Sequence, residues 1–374
     1  MKIYDDNAPL YVKLAFQFLI IFFICFFINV AQNILIPFAF AVLLTVLLLP
    51  IVTFFESKHL GKVLSILIAI FISVGFIVSI VYFLSSQIVS FIKDVPSIKQ
   101  HLNQHFIDVQ SWIKTKFNIS FSEQNQYLYE QANKLKESGT GYIKTTFFSI
   151  TEAILLLFLM PIYTFLLLYY RLHIRSFLFI VFKKEYNEDV QSVINKSKIM
   201  IHSYVVGLLI EMAIVAAANS TGLVIAGIKY GIFFGVLSAV LNIIPYIGMF
   251  TATLLTVLVT LTTSDNTSDI LWVIVIFYGI HIIDTNFLVP RVVASRLRIN
   301  ALISILGVVI GGSLTGVSGL FLSVPAIAFI KIICDQVESL KPWGMLMGDD
   351  TSFSEKSTLY KKLQHYGRQK HLKK

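Results

Sequence analysis

The sequence predicts an all-α polytopic membrane protein with about six full transmembrane helices and two oppositely oriented re-entrant helical hairpins. Three observations carry this. The chain is 56% apolar with only 14% charged residues, which places it in the membrane class. Its apolar stretches are long enough to span a bilayer as helices. The third is that two of them, Gly231–Leu261 and Ala301–Ile333, exceed thirty residues and are each broken near the middle by turn-forming residues.

Taken in order, Leu14–Val30, Ile34–Phe55 and Val63–Leu84 are full spans, giving an amino-terminal bundle over 1–86. The first of these runs past the length of a signal peptide without a small-residue cleavage site, so it reads as retained. A polar insert follows at 87–145. In it Val95, Ile98, Leu102, Phe106, Val109 and Ile113 recur at three- and four-residue steps, an amphipathic helix with Pro96 in the first turn after Asp94. A second, weaker helix is expected over Glu123–Glu137. The segment 146–203 holds the fourth span, Phe147–Tyr170, and a basic linker. Residues 204–337 hold the spans Tyr204–Ile228 and Ile270–Val289, each followed or preceded by a broken segment, and 338–374 is a basic tail.

Lysine and arginine set the orientation. Lys58 and Lys62 lie between the second and third spans. Arg171, Arg175, Lys183, Lys184, Lys196 and Lys198 follow the fourth, and the tail after Lys341 is rich in lysine. All three regions are assigned to the cytoplasm, which puts both termini inside and the insert outside. Thr262–Asp269 carries two aspartates and no basic residue, whereas Pro290–Arg298 carries Arg291, Arg296 and Arg298. The first broken segment then starts and ends outside and the second starts and ends inside, an inverted repeat. The alternative is eight continuous spans with the arginine loop outside.

The breaks hold the candidate substrate-binding residues. Pro245 removes a backbone donor, with Asn242 three residues before it and Gly248 three after. In the second break Gly312 and Gly316 permit unusual dihedrals and Ser313 offers a hydroxyl. Broken backbone at membrane depth is tolerated where it is packed in protein or lines a wet cavity. Close helix packing by small residues is the competing explanation.

Glu152, Glu211 and Asp284 are the acids within predicted spans, and intramembrane acids are costly enough to suggest a role. Glu211 and Asp284 lie at equal depth, each about six residues, roughly 9 Å, from the cytoplasmic end of its span. His281 and Asp284 share a helix face and suit proton binding and release. Glu211, His281 and Asp284 are therefore the ion-coupling candidates, with Arg291 as a possible neutraliser of Asp284. Glu152 reads as an anchor at the external end of its span.

No His-Glu-x-x-His, Gly-x-Ser-x-Gly or phosphate-loop motif occurs, so no enzymatic activity, catalytic residue or metal site is expected. Cys25 and Cys334 lie in apolar segments and frame no disulfide or metal site. No cofactor is expected beyond a coupling ion, a proton or sodium. Expected partners are the lipid bilayer, a small-molecule or ion substrate and further copies of the chain in a homo-oligomer; nucleic acid is not among them.

Leu241-Asn-Ile-Ile-Pro-Tyr-Ile-Gly248, Pro290-Arg291 and the glycine-rich stretch from Gly311 to Gly319 ahead of Val324-Pro325 resemble the bacterial autoinducer-2 exporter (AI-2E) family. The order of spans and the insert fit over nearly the whole chain. The resemblance implies a secondary transporter of the bacterial inner membrane that exports a small polar signal molecule or exchanges sodium and protons by alternating access. The family carries a glutamine and a glutamate where this chain has His281 and Asp284. A passive channel, or a scaffold that binds a partner through the insert, are the alternatives.

Overall fold

The computed structural model describes residues 10–126, 150–242, 247–264, 266–293 and 299–349. Among these, regular structure is helical: α1 Leu10–Val30, α2 Gln32–Ser57, α3 Lys62–Phe117, α4 Ile150–Tyr169, α5 Arg171–Val181, α6 Asn187–Ile225, α7 Gly231–Leu241, α8 Ile247–Thr263, α9 Thr267–Ile283, a π-helical segment Asp284–Val293, α10 Ala301–Gln336 and α11 Lys341–Met347. This is the all-α polytopic membrane architecture expected of the apolar patterning. Five helices are long and apolar enough to cross a membrane, or six if the bent pair α4–α5 is one span. The chain forms two compact units, Met1–Ile174 with Val205–Val293, and Arg175–Tyr204 with Ala294–Lys374.

In the first unit α2, α3 and α4 pack through Leu48, Val52, Ile66, Ala69, Ile70 and Leu168. Lipid tails are as apolar as these side chains, so close packing rather than water exclusion holds the helices together. The end of this bundle is tied by charge. Arg171 Nη2 donates to Glu56 Oε2 at 2.5 Å, and the Lys62 ammonium stands 4.6 Å from the Tyr169 ring centroid. The loop between α2 and α3 and the end of α4 therefore share one end of the bundle, as their common positive charge implies.

Helix α3 is longer than its apolar part. Its 56 residues extend roughly 84 Å, far beyond a hydrocarbon core of about 30 Å. The sequence suggests a fresh helix start after Asp94; the backbone instead continues through Pro96, since a proline removes one hydrogen bond and the turns on either side hold the rod. The helix ends at Asn118 in a left-handed conformation. At the start of the next helical turns, 121–126, Ser120 and Glu123 form a capping box. The Glu123 carboxylate accepts from the Ser120 N–H at 2.9 Å and from its hydroxyl at 2.8 Å, and the Glu123 N–H donates to Ser120 Oγ at 3.3 Å. These bonds hold the exposed Glu123 carboxyl below its ordinary range. The rest of the expected Glu123–Glu137 helix lies outside the described residues.

The remainder of the first unit is built on α6, α7, α8 and α9. Leu223, Phe233, Phe234, Ala252, Val259, Val273 and Phe277 form its core, with Leu84 and Phe91 of α3 packed against it. The first broken segment folds back on itself. Residues from the start of α7 (Phe233, Phe234) and from near the end of α8 (Val259) share this core. At the fold a Cβ on Gly248 would overlap the Leu241 carbonyl.

The second unit contains the other broken segment. Ala301–Gln336 has enough length for one long span, but its backbone leaves helical geometry at Thr315 and Gly316, where Gly316 has φ 63° and ψ −142°. The two arms then run antiparallel. A Cβ built on Gly311 would stand 2.5 Å from the Gly319 oxygen and 3.1 Å from Ser323 Cβ, and one on Gly312 would stand 2.6 Å from Leu320. The outer ends meet as well. Asn300 caps the first arm by accepting from the Ile303 N–H at 2.9 Å, and its Nδ2 donates to the carbonyls of Leu346 and Gly348 beyond the second arm, at 2.6 and 3.2 Å. Both broken segments are thus helical hairpins, and a continuous span through Ala301–Gln336 is not what this backbone forms.

Candidate functional site

Three helix stripes converge inside the first unit. On α6, Glu211, Val215 and Asn219 recur every four residues and so lie along one face. On α7, Ser238 and Asn242 are likewise four apart. On α9 and the π-helical segment, Phe277, His281 and Asp284 follow at four and three. Val215, Asn219, Ser238, Asn242, His281 and Asp284, with Phe277 among the apolar walls, line one narrow cleft of about 10 Å³. This is space for about one water or one bare ion.

Asn242 is the keystone. It caps the C-terminal end of α7, directly after Leu241 and before the break, so the end of the helix brings its side chain to two acids from different helices. Its Nδ2 donates to Glu211 Oε1 at 3.3 Å and to Asp284 Oδ2 at 3.1 Å. One amide thus bridges the two carboxyls. Glu211 and Asp284 are 7% and 3% exposed. Among the described residues neither is ion-paired with a lysine or arginine.

Asp284 stands where α9 gives way to the π-helical segment. Such wide turns leave carbonyls short of partners and often mark functional sites. Here nearby side chains take them up. Thr285 Oγ1 donates to the His281 carbonyl and Asn286 Nδ2 to the Ile282 carbonyl, both at 2.8 Å.

The structure therefore brings Glu211, Asp284 and Asn242 into contact. His281 lines the same cleft half-buried, without a hydrogen bond to Asp284 among the described residues. The Arg291 guanidinium lies over the Phe287 ring at 5.5 Å from its centroid. Gly248 marks the close approach at the first hairpin's fold, and Pro245 lies outside the described residues. Gly312, Ser313 and Gly316 belong to the second hairpin. Gly312 sits against Leu320, Gly316 supplies the left-handed turn, and Ser313 Oγ donates back to the Val309 carbonyl at 2.9 Å.

Two residues that charge-based reading passes over complete the cleft. Asn219 and Ser238 are both 3% exposed, and Asn219 Nδ2 donates to Ser238 Oγ at 2.9 Å. Asn219 carries no charge, and Ser238 sits in an otherwise apolar helix. The available signal was spacing, since Asn219 is two four-residue steps from Glu211 and Ser238 is one from Asn242.

The family profile described as AI-2E family transporter matches residues 16–339. The chain is also similar to YueF of Bacillus subtilis (strain 168), a protein whose own name proposes transport. The two are 24% identical over 314 residues, covering 82% of this chain and 84% of that one. The order of spans, the paired hairpins and the profile together identify the chain as a member of the AI-2E transporter family.

Proposed function

We propose that this transporter exchanges a small monovalent cation for protons, and that Glu211 and Asp284, bridged by Asn242, are its coupling site. The observation that carries this is the buried carboxyl pair with one shared amide and, among the described residues, no lysine or arginine paired to it. Two adjacent carboxylates in a low-dielectric interior cannot both stay ionised without a counter-charge. A proton or a cation in the cleft supplies it, so the two loads compete for one place. A cleft of about 10 Å³ favours an ion over an organic solute, and His281 at its wall offers a route for the proton.

Alternating exposure of this site to the two sides would make the exchange obligatory. The hairpins support such a mechanism, because a re-entrant segment lets irregular backbone face a wet path at membrane depth. The arginine- and lysine-rich loops support cytoplasmic termini in a bacterial inner membrane.

The test is flux in liposomes. The pure protein is reconstituted with a pH-sensitive dye inside, and sodium, lithium, potassium or choline is added outside. Proton movement driven by sodium or lithium, and by neither choline nor buffer, supports exchange. Flux that follows only the gradient of the moving ion, without counter-movement of the other, makes the protein a channel. Absence of flux with every cation refutes cation exchange.

A further inference from the structure

We infer that the site has a neutral arm: Asn219 Oδ1, held in place by Ser238, is a direct ligand of the transported cation and sets its selectivity. The inference rests on the exchange reading above and goes beyond the acids that motivate it.

The hydrogen-bond chain favours one orientation of Asn219. Ser238 has one hydroxyl proton, and it is donated to the Gly235 carbonyl at 2.7 Å. The hydroxyl oxygen therefore acts only as an acceptor toward Asn219, whose Nδ2 donates to it at 2.9 Å. A flipped amide would require the Ser238 hydroxyl to give up its shorter 2.7 Å bond to Gly235 in order to donate to the amide oxygen. With the amide nitrogen toward Ser238, Oδ1 is turned away from it, and among the described residues this buried oxygen accepts no hydrogen bond. A buried carbonyl oxygen without a partner is a costly arrangement that asks for an explanation.

Asp284 Oδ1 is buried and accepts no hydrogen bond either. Asn219 and Asp284 line the same cleft. The walls of this cleft thus include one residue of α6 and one of the π-helical segment that each carry a buried acceptor oxygen without a hydrogen bond among the described residues, while the nearby amide donors are already committed to Ser238 and to the two carboxyls. Oxygen ligands without competing donors are the coordination chemistry of hard cations. A proton needs only a carboxyl, whereas a dehydrated sodium or lithium ion needs several oxygens at once. Asn219 accordingly distinguishes the two loads: its oxygen contributes to cation affinity and adds nothing to proton binding. The titratable groups around the cleft are Glu211 from α6 and His281 and Asp284 from α9 and its extension. Neither α7 nor α8 contributes one.

The experiment is direct sodium binding to the purified full-length protein, measured by equilibrium dialysis with radioactive sodium in choline buffer. Wild type is compared with Asn219→Leu, Asn219→Asp, Ser238→Ala and Asp284→Asn. Asn219→Leu should weaken sodium binding at least about tenfold. Asn219→Asp loses the bond to Ser238 but puts charged oxygens in place of the amide oxygen and should bind sodium at least as tightly as wild type, whereas Ser238→Ala frees the amide to rotate and should weaken binding severalfold. In liposomes, Asn219→Leu should raise the apparent KM for sodium while the maximal rate at saturating sodium is retained, a split that general misfolding does not produce.

If wild type and Asn219→Leu bind sodium equally while Asp284→Asn does not, the neutral arm is wrong and the carboxyl site stands. If wild type shows no saturable sodium binding, both fail. Should Asn219→Leu be unstable in choline buffer, Asn219→Asp and Ser238→Ala decide: unchanged affinity in Ser238→Ala overturns the inference.

Discussion

In the Asp284→Asn variant the side chain keeps its size and an acceptor for the Asn242 amide, which reaches Asp284 Oδ2 at 3.1 Å, and it loses only the capacity for charge. A monovalent cation about 2.4 Å from a carboxylate oxygen, a length typical of hard-cation contacts, gains roughly 7 kcal/mol at an effective dielectric of about 20. Desolvation of the ion and of the carboxylate offsets more than half of that, leaving about 3 kcal/mol, or roughly a hundredfold in affinity. The neutral amide oxygen remains as a weak ligand, so fold and expression should be preserved. Sodium-driven proton flux in liposomes should therefore fall about a hundredfold at low sodium, with a thermal unfolding midpoint close to that of wild type. An apparent KM for sodium within about threefold of wild type would refute the assignment of Asp284 as the charged ligand.

Three further outcomes follow from the packing. Glu56 and Arg171, each 24% exposed at the side chain, should show a coupling of about 1–3 kcal/mol in a Glu56→Gln/Arg171→Gln double-mutant cycle read by thermal unfolding, below a fully buried pair because water reaches the ions. Gly316→Ala should destabilise the second hairpin by about 1–3 kcal/mol, because φ 63° with ψ −142° is open essentially to glycine alone; an unchanged unfolding midpoint would contradict the turn. The Glu123 carboxyl is held below its ordinary range by Ser120, so its cap is fully present above the unfolded value and lost as pH falls through the folded one. Protection at 121–124, taken as the intrinsic amide-exchange rate at each pH divided by the observed one, should fall on acidification in wild type and stay constant in Glu123→Gln.

Membrane class, the all-helical architecture and both interruptions were legible in the sequence, because each is a local property. Twenty apolar residues have to form a helix in lipid, and the glycines between Gly311 and Gly319 or the proline after Asn242-Ile-Ile weaken one locally. The burial of Glu211 and Asp284 was legible too, and it makes them candidates, since a charge in an apolar run is costly wherever the run packs. What the sequence by itself could not decide is which groups meet. Asn242 was read as a hairpin-tip residue for substrate, and the fold makes it the amide that joins two acids from α6 and the π-helical segment, 31 and 42 residues away. Asn219 and Ser238 carry no charge and stand out in no composition profile. Their meaning comes from a hydrogen-bond chain between two helices that leaves one buried oxygen without a donor among the described residues. Helix formation is settled by neighbours along the chain, whereas the site depends on how helix faces are rotated against one another, and that is decided by tertiary packing.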